Sequence, residues 1–423
     1  MDVRFGREIE MKPGRRVVVV GAGAAGGMAA IFAAQAGAQV TLLERTKDGG
    51  RKILISGGGR CNVLPARLDE SRYVTDSSVN TMRKMLRTWP LDEQVAFFEH
   101  ELQIPLAIET ESAKRFPVSN KARDVRDALL SYARQCGAAV RVESLVTDFA
   151  ATAEGWRVDF ADAPPITADA LIVATGGLSV PNTGSDGTGL RILEALGHTM
   201  HERYAALTPL LADDPGFAAL SGISLTVTLS AKDAQRSATA TGGFLFTHRG
   251  YSGPAVLDVS HVVTRSSAEP DQRARLTVQW TSLGAAEWEA ALRPQGTRTV
   301  MGAVRAELPD RLARHLLVLA RVDEDRLLAE LRRDERLRLI DVLVRYPLPW
   351  TGDEGYKKAE VTGGGVSLAE VDPRTMESRR CPGLYICGEA LDAFGPIGGY
   401  NFAWAWATGR AAGRGSARRL GES

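Results

Sequence analysis

Three glycines and one acid near the N-terminus have the types and spacing for dinucleotide chemistry. Gly21, Gly23 and Gly26 make a G-x-G-x-x-G turn directly after four valines, and seventeen residues separate Gly26 from Glu44. The first glycine permits a tight turn, the second lets backbone approach a pyrophosphate, and the third lets a helix lie close on a strand. Amides at the start of that helix offer unpaired N–H groups to an anion. Glu44 is placed to accept hydrogen bonds from the adenosine ribose, and its charge repels a 2′-phosphate, which disfavours NADP. A second run, Gly57, Gly58 and Gly59 between Ser56 and Arg60, supplies N–H groups free of side-chain obstruction, suited to a phosphate or a flat ring. Lys52 and Arg60 add positive charge beside it.

These residues need a scaffold, and residues 17–44 read as one βαβ unit: a buried valine strand, an Ala-rich helix and a second strand from Gln39 to Leu43. Residues 17–43 carry no charge, so a membrane helix or an export signal after Arg15-Arg16 competes with that reading. The Gly and Ala content and the position of the acid favour the dinucleotide unit. Residues 1–15 read as a polar arm. Residues 78–104 look helical, and Ser119 or Asn120 is placed to cap a helix carrying Val125, Leu129 and Tyr132. A strand over 138–146, a hairpin through 155–160 and a buried strand within 168–177 follow, the last running into Thr175-Gly176-Gly177. Short β-like runs fill 205–285, and charge-rich helical periodicity fills 286–345. Strands at 358–366 and 383–389 then lead to Gly398-Gly399, which open an Ala-rich helix whose N-terminus suits an electron-rich ligand edge. The expected fold is α/β: a discontinuous Rossmann-like domain from residues 1–198 and 351–423, an inserted β-rich, barrel-like domain over 199–285 and a helical subdomain over 286–350.

A chain of 423 residues suggests two or three domains. With 52 basic and 51 acidic residues its formal net charge is +1, so no global field draws nucleic acid or an anionic membrane. Cys61, Cys136, Cys381 and Cys387 fit neither a C-x-x-C redox pair nor a zinc site, and read as reduced thiols of a cytoplasmic protein. Six histidines show no metal-binding spacing. The expected partner is a small-molecule substrate, without nucleic acid, membrane or metal; the oligomeric state stays open.

Several ordered segments resemble one family. GRKILISGGGRCN, PVSNKARDV, ATGGLSVPNTGSDGTG, LFTHRGYSGPAVL, EVTGGGVSLAEVDPRTMES and LYICGEALDAFGPIGGYNFAWAWATGRAAG are similar to the BaiN/HI0933-like family of bacterial flavoproteins, over roughly residues 17–413. The resemblance implies FAD as a tightly, non-covalently bound cofactor. It implies that Gly21, Gly23 and Gly26 hold the pyrophosphate, with Glu44 and Arg45 on the adenosine side. Lys52, Ser56, Gly58, Arg60 and Asn62 would line the flavin side of the glycine loop, and Thr175 and Gly176 would press on the cofactor. Gly388 and Glu389 would meet its ribityl–phosphate region. Gly399, Tyr400, Asn401 and Phe402 would bring a helix N-terminus to the N1/O2 edge, where reduced flavin carries negative charge. One departure is Gly363, where the family pattern leads us to expect alanine.

The activity implied is FAD-dependent oxidoreduction by hydride transfer through flavin N5 on a small organic substrate, with NAD(P)H as a transient electron donor. Two alternatives are an FAD-dependent RNA-modifying enzyme and a flavin-binding regulatory protein without turnover. No Ser-His-Asp, Cys-His or paired-carboxylate arrangement stands out. His248, Tyr251 and Tyr400 are the acid–base candidates, and for His248 the plainer reading is an ordinary structural or exposed histidine. Cys61 reads as a packed thiol rather than a nucleophile.

Overall fold

A computed structural model of the protein describes residues 14–266 and 272–418. The arm expected over residues 1–15 lies, up to residue 13, outside the described residues. The chain divides into two compact units. One comprises Met1–Gly177, Asn182–His201 and Gly364–Ser423, and the other Leu178–Pro181 and Glu202–Gly363.

The first unit is built on five parallel strands. The elements that matter are β1 (Arg16–Val20), α1 (Ala24–Gln35), β2 (Gln39–Leu43), α2 (Arg51–Ile55), α3 (Ala122–Gln135), β3 (Ala139–Arg141), β4 (Ala170–Val173), β5 (Leu384–Ile386) and α4 (Tyr400–Ala417). The strand order is β5–β4–β1–β2–β3, with every neighbouring pair parallel. Strands covered on both faces must be apolar throughout, which is why VVVV and ALIV carry no alternation and are fully buried. The order reverses between β1 and β4, so their carboxyl ends flank the switch point where an open α/β sheet takes its ligand.

Several local expectations change. The segment 78–104 is two α-helices, Val79–Leu86 and Leu91–Ala96, split by Trp89-Pro90, because proline lacks an amide and restricts the residue before it. Neither Ser119 nor Asn120 caps α3. Its N-cap is Lys121, with no side-chain cap, and Asn120 takes a left-handed φ of 53° outside cap geometry. The strand expected over 138–146 stops at Arg141. Glu143, with φ 53°, turns the chain, and Val146–Thr152 begins a separate antiparallel three-stranded sheet with Gly155–Phe160 and Ile166–Ala168.

The second unit holds a seven-stranded antiparallel sheet. Its long central strands are Ser224–Lys232, Ser237–Thr247 and Arg275–Gln279. A helix not foreseen in the sequence, Pro254–Thr264, starts on a proline, whose missing amide costs nothing at that position. The sheet and the helices Ala285–Ala291, Val300–Val304, Asp310–Ala320 and Arg333–Arg345 share one hydrophobic core. Phe217 lies at the centre of its aromatic part, with ring neighbours Phe246, Tyr251, Trp280, His315 and Tyr346.

Candidate functional site

The turn after β1 sets the first wall of the site. Gly21 has φ +104°, and a Cβ there would lie 2.5 Å from the Ala174 carbonyl oxygen at the end of β4. Gly26 is pressed on Gly21, and Gly23, the N-cap of α1, faces open space with nothing within 4 Å of an added Cβ. No side chain caps α1 and no acid sits in its first turn, so its leading amides stay available to an anion. Glu44 is buried at the end of β2. Its Oε2 accepts the Ala22 amide at 3.1 Å, while Oε1 accepts the amide and hydroxyl of Thr46 at 2.8 and 2.7 Å. One hydrogen bond on Oε2 leaves that oxygen room for a ribose hydroxyl. Arg45 is exposed and turns to Asp186.

The second wall is the segment expected to be an open glycine loop. It begins as a helical turn, α2, and continues through Gly57, Gly58 and Gly59 with φ of 54°, 66° and 84°. Three consecutive left-handed residues are accessible to glycine and to little else. Ser56 donates its hydroxyl to Ile53 O at 2.8 Å, and its carbonyl accepts the Cys61 amide at 3.1 Å, closing the loop. The charges beside it are engaged. Lys52 Nζ donates to Glu389 Oε2, and Arg60 pairs with Glu109 at 3.0 Å while lying 3.9 Å over the Phe116 ring. The backbone amides thus carry more of the loop's anion affinity than its sequence suggests. Asn62 is buried, and its Oδ1 has no hydrogen-bond partner.

Segments distant in sequence complete the cradle. Thr175 Oγ1 is buried without a partner. Next to it, a Cβ on Gly176 would lie 2.7 Å from Ser185 Oγ and 3.8 Å from Glu389 Oε2. Gly388 donates its amide to Thr408 Oγ1 and accepts Trp404 Nε1, both at 3.0 Å, and so is tied to α4. Gly399 is the N-cap of α4, again without a side-chain cap or a first-turn acid. Asn401 locks the preceding loop at two points, accepting the Gly395 amide and donating to the Gly395 carbonyl, each at 2.9 Å. Phe402 stacks on Trp406 at 5.3 Å. Tyr400 donates its hydroxyl to Arg67 O at 3.2 Å, with the Arg72 guanidinium 5.2 Å above its ring.

The acid–base candidates separate. Tyr400 belongs to the first unit, and His248 and Tyr251 to the second. His248 is exposed in the turn between strands Ser237–Thr247 and Gly250–Ser252. Tyr251 is fully enclosed 5.4 Å from Phe244, its hydroxyl has no partner, and burial pushes its ionisation far upward. That is a core position. Burial also pushes the Cys61 and Cys387 thiols up to about 12, which leaves both as unreactive thiols at neutral pH. Sequence reasoning missed Asp392. It is 2% exposed and accepts the Asp76 and Ser77 amides at 3.0 and 2.8 Å and the Ser77 hydroxyl at 2.8 Å. Its signal was an acid inside the glycine-rich DAFGPIGG segment. Among the described residues no group of three or more His, Cys, Asp or Glu is placed to hold a metal. No helix among them is long and apolar enough to cross a membrane.

This donor set fits an adenine dinucleotide that also carries a neutral polyol. Two helix starts lack a side-chain cap, the Glu44 and Glu389 carboxylates have the chemistry to accept hydroxyl hydrogens, and the buried Asn62 Oδ1 and Thr175 Oγ1 have no partner among the described residues.

Known proteins match over most of the chain. The family profile described as HI0933-like protein Rossmann domain matches residues 15–415. Ribosomal RNA dihydrouridine synthase of Escherichia coli (strain K12) is 31% identical over 92% of this chain and 95% of its own length. The protein of the same name from Haemophilus influenzae (strain ATCC 51907 / DSM 11121 / KW20 / Rd) is 32% identical, over 92% and 96%. The 3-dehydro-bile acid delta(4,6)-reductase of Clostridium scindens (strain ATCC 35704 / DSM 5676 / VPI 13733 / 19) is 31% identical, over 96% and 99%.

Proposed function

Because the chain belongs to the HI0933-like family of flavoproteins, we propose that it is an FAD-dependent reductase that saturates a carbon–carbon double bond conjugated to a carbonyl. The observation that carries this reading is the chemistry shared by its relatives' names. Dihydrouridine is uridine with the ring double bond beside a carbonyl saturated, and a 3-dehydro substrate with delta(4,6) unsaturation has its double bonds conjugated to the 3-ketone. One acceptor is an RNA base and the other a steroid. The bond reduced is of the same kind.

FAD, when bound, supplies hydride from N5 of its reduced ring. The residues of this chain bind and orient it. The leading amides of α1 receive the pyrophosphate, and Glu44 Oε2 takes a ribose hydroxyl. Asn62 Oδ1 and Thr175 Oγ1 gain the partners they lack. The uncapped start of α4, held in place by Asn401, would favour negative charge on a flavin placed against it. Of the three acid–base candidates, Tyr400 is the one in the cofactor unit, and we assign it the proton that must reach the carbon next to the carbonyl. One G-x-G-x-x-G unit is present, so NADH or NADPH is read as a transient donor. Four free thiols suit a cytoplasmic enzyme.

A second reading, uridine in ribosomal RNA as the acceptor, is favoured by the two relatives that carry that name. The net charge of +1 argues for the small molecule. The experiment that tests both supplies the FAD-loaded protein with NADH or NADPH and either a steroid dienone or unmodified ribosomal RNA. Mass spectrometry then reads the gain of two hydrogens. Gain in either acceptor supports the reaction and selects the substrate. Gain in neither, across a panel of conjugated carbonyl compounds, rejects it.

A further inference from the structure

Asp392 joins segments more than 300 residues apart in sequence. Its Oδ2 accepts the Thr75 hydroxyl and the Asp76 amide at 3.0 Å, and the amide and hydroxyl of Ser77 at 2.8 Å. The Thr75 hydroxyl also reaches the Asp392 carbonyl oxygen at 2.6 Å. These donors converge on one oxygen of a buried side chain, which suits a carboxylate, since a charged acceptor bonds about twice as strongly as a neutral one. His201 Nε2 lies 3.6 Å from the same oxygen and 3.1 Å from the Ser77 hydroxyl, a basic neighbour for the buried charge. Burial pushes the Asp392 carboxyl up from the usual aspartate range, and Ser77 and His201 pull it back. The Asp392 amide donates to Val366 O at 3.0 Å, so the backbone under the carboxylate is fixed as well.

The segment that Asp392 holds is the one packed around Tyr400. Val74 exchanges two backbone hydrogen bonds with Phe394, at 2.8 and 3.1 Å. Tyr73 donates its hydroxyl to the Tyr400 carbonyl at 2.7 Å, and the two rings are 5.7 Å apart. Arg72 lies over the Tyr400 ring, and the Arg67 carbonyl takes the Tyr400 hydroxyl. A Cβ on Gly395 would lie 2.5 Å from Tyr400 Cβ and 3.1 Å from the Tyr73 ring, so no side chain can enter between the segment and the tyrosine. Upstream, Leu64 and Pro65 are paired with Arg115 and Lys114 in an antiparallel sheet. Residues 67–77 are thus a strap over Tyr400, tied by a sheet at one end and by Asp392 at the other.

We propose that Asp392 is a positioning residue that acts on Tyr400 through this strap. Its carboxylate pins residues 75–77, and the pinned strap fixes the ring and hydroxyl of the tyrosine. The consequence for catalysis rests on the proton role given to Tyr400 under the proposed function; the pin itself does not.

The test uses the FAD-loaded protein labelled with 3-fluorotyrosine and read by fluorine NMR. The chain has eight tyrosines. The Tyr400 and Tyr73 signals are identified by their loss in Tyr400→Phe and Tyr73→Phe. In Asp392→Asn both signals are expected to move or broaden. Those of Tyr204, Tyr251 and Tyr346, in the second unit, are expected to stay, which shows that the variant is folded. Hydrogen exchange at the Asp76 and Ser77 amides is expected to quicken roughly ten- to a hundredfold, the range for a hydrogen bond to a charged group. Ser77→Ala removes one donor and keeps the carboxylate, and is expected to displace the same two signals by less. Unmoved Tyr73 and Tyr400 signals in Asp392→Asn, or signals displaced in both units alike, would overturn the inference. Undiminished turnover in Tyr400→Phe is a separate failure: it removes the proton role, and the pin stands if both signals still respond to Asp392→Asn.

Discussion

Gly409 on α4 is in backbone contact with Ala25 on α1: a Cβ at Gly409 would lie 2.4 Å from the Ala25 carbonyl oxygen. One turn on, Gly413 meets Ala29 O at 2.3 Å in the same way. The pairing advances in the same direction along both helices, so they run parallel and their uncapped N-termini open at the same end. Two uncapped helix starts from opposite ends of the chain are thereby brought to the same end of the unit. In an ordinary helix interior Gly→Ala gains about 1 kcal/mol. Here the added methyl meets backbone that cannot swing aside, so Gly409→Ala is expected to cost roughly 1–3 kcal/mol net. Thermal melts with FAD content measured in parallel check this; a neutral or stabilising effect contradicts it.

Glu44 holds the turn together: its carboxylate satisfies the Ala22 and Thr46 amides. In the proposed function its remaining capacity takes a ribose hydroxyl of the adenosine. Glu44→Arg is expected to lower affinity for FAD and ADP alike, by roughly ten- to a hundredfold. Full retention of FAD in Glu44→Arg removes the role given to this acid.

Tyr400 offers the proton in the proposed reduction. Tyr400→Phe removes one oxygen and keeps the ring under Arg72. Turnover is expected to fall roughly 10²–10⁴-fold, the usual range for a general acid. FAD content and the rate of flavin reduction by NAD(P)H should stay near wild type. A variant that turns over normally shows that the proton comes from elsewhere.

Gly363, the departure from the family pattern, is explained by Tyr204. A Cβ there would lie 2.2 Å from the Tyr204 ring, which is buried with the Arg265 guanidinium 4.5 Å from its centre. Gly363→Ala is expected to destabilise by about 1–3 kcal/mol, the usual cost of overpacking. In a Tyr204→Leu background the same change should cost much less. Denaturant unfolding of the four proteins of the cycle reads the coupling. Additive effects contradict the match.

A buried histidine, His198, and a half-buried one, His315, give a pH dependence. Burial lowers the pKa of His315, which packs 4.8 Å from Phe217, and burial also lowers that of His198 against the opposing pull of Glu370. A folded-state pKa below the unfolded value means that the unfolded chain binds the extra proton first. Stability is therefore full above about pH 6.5 and falls as pH drops through the folded values, by at most about 1.4 kcal/mol per pH unit for each group. Unfolding midpoints between pH 8 and pH 5 check this. His315→Gln should flatten the slope, and a stability that rises on acidification over that range contradicts the assignment.

The legible part of this chain is the part whose interactions are local. The strand, turn, helix and acid of residues 17–44 satisfy one another within a single supersecondary unit, so spacing alone identifies them. Positive φ at Gly57 to Gly59 is likewise written in composition. What spacing cannot carry is long-range pairing. Lys52 and Arg60 read as free charge, and only the fold brings Glu389 and Glu109 to them. Tyr251 has the right chemistry for an acid, and only the aromatic core around it shows why it sits there. The helix at Pro254–Thr264 is hidden because a mostly buried helix reads as the same apolar run as a buried strand.

The central claim is that this chain passes reducing equivalents from FAD to a double bond conjugated to a carbonyl. Anaerobic single-turnover mixing measures it most directly. FAD on the protein is reduced with one equivalent of NADPH or dithionite and mixed with a steroid dienone or unmodified ribosomal RNA, and the absorbance of oxidised flavin is followed. Rapid return of that absorbance, together with one equivalent of saturated product, is the expected result. Flavin that stays reduced with every conjugated acceptor, and is reoxidised only when dioxygen is admitted, would contradict it.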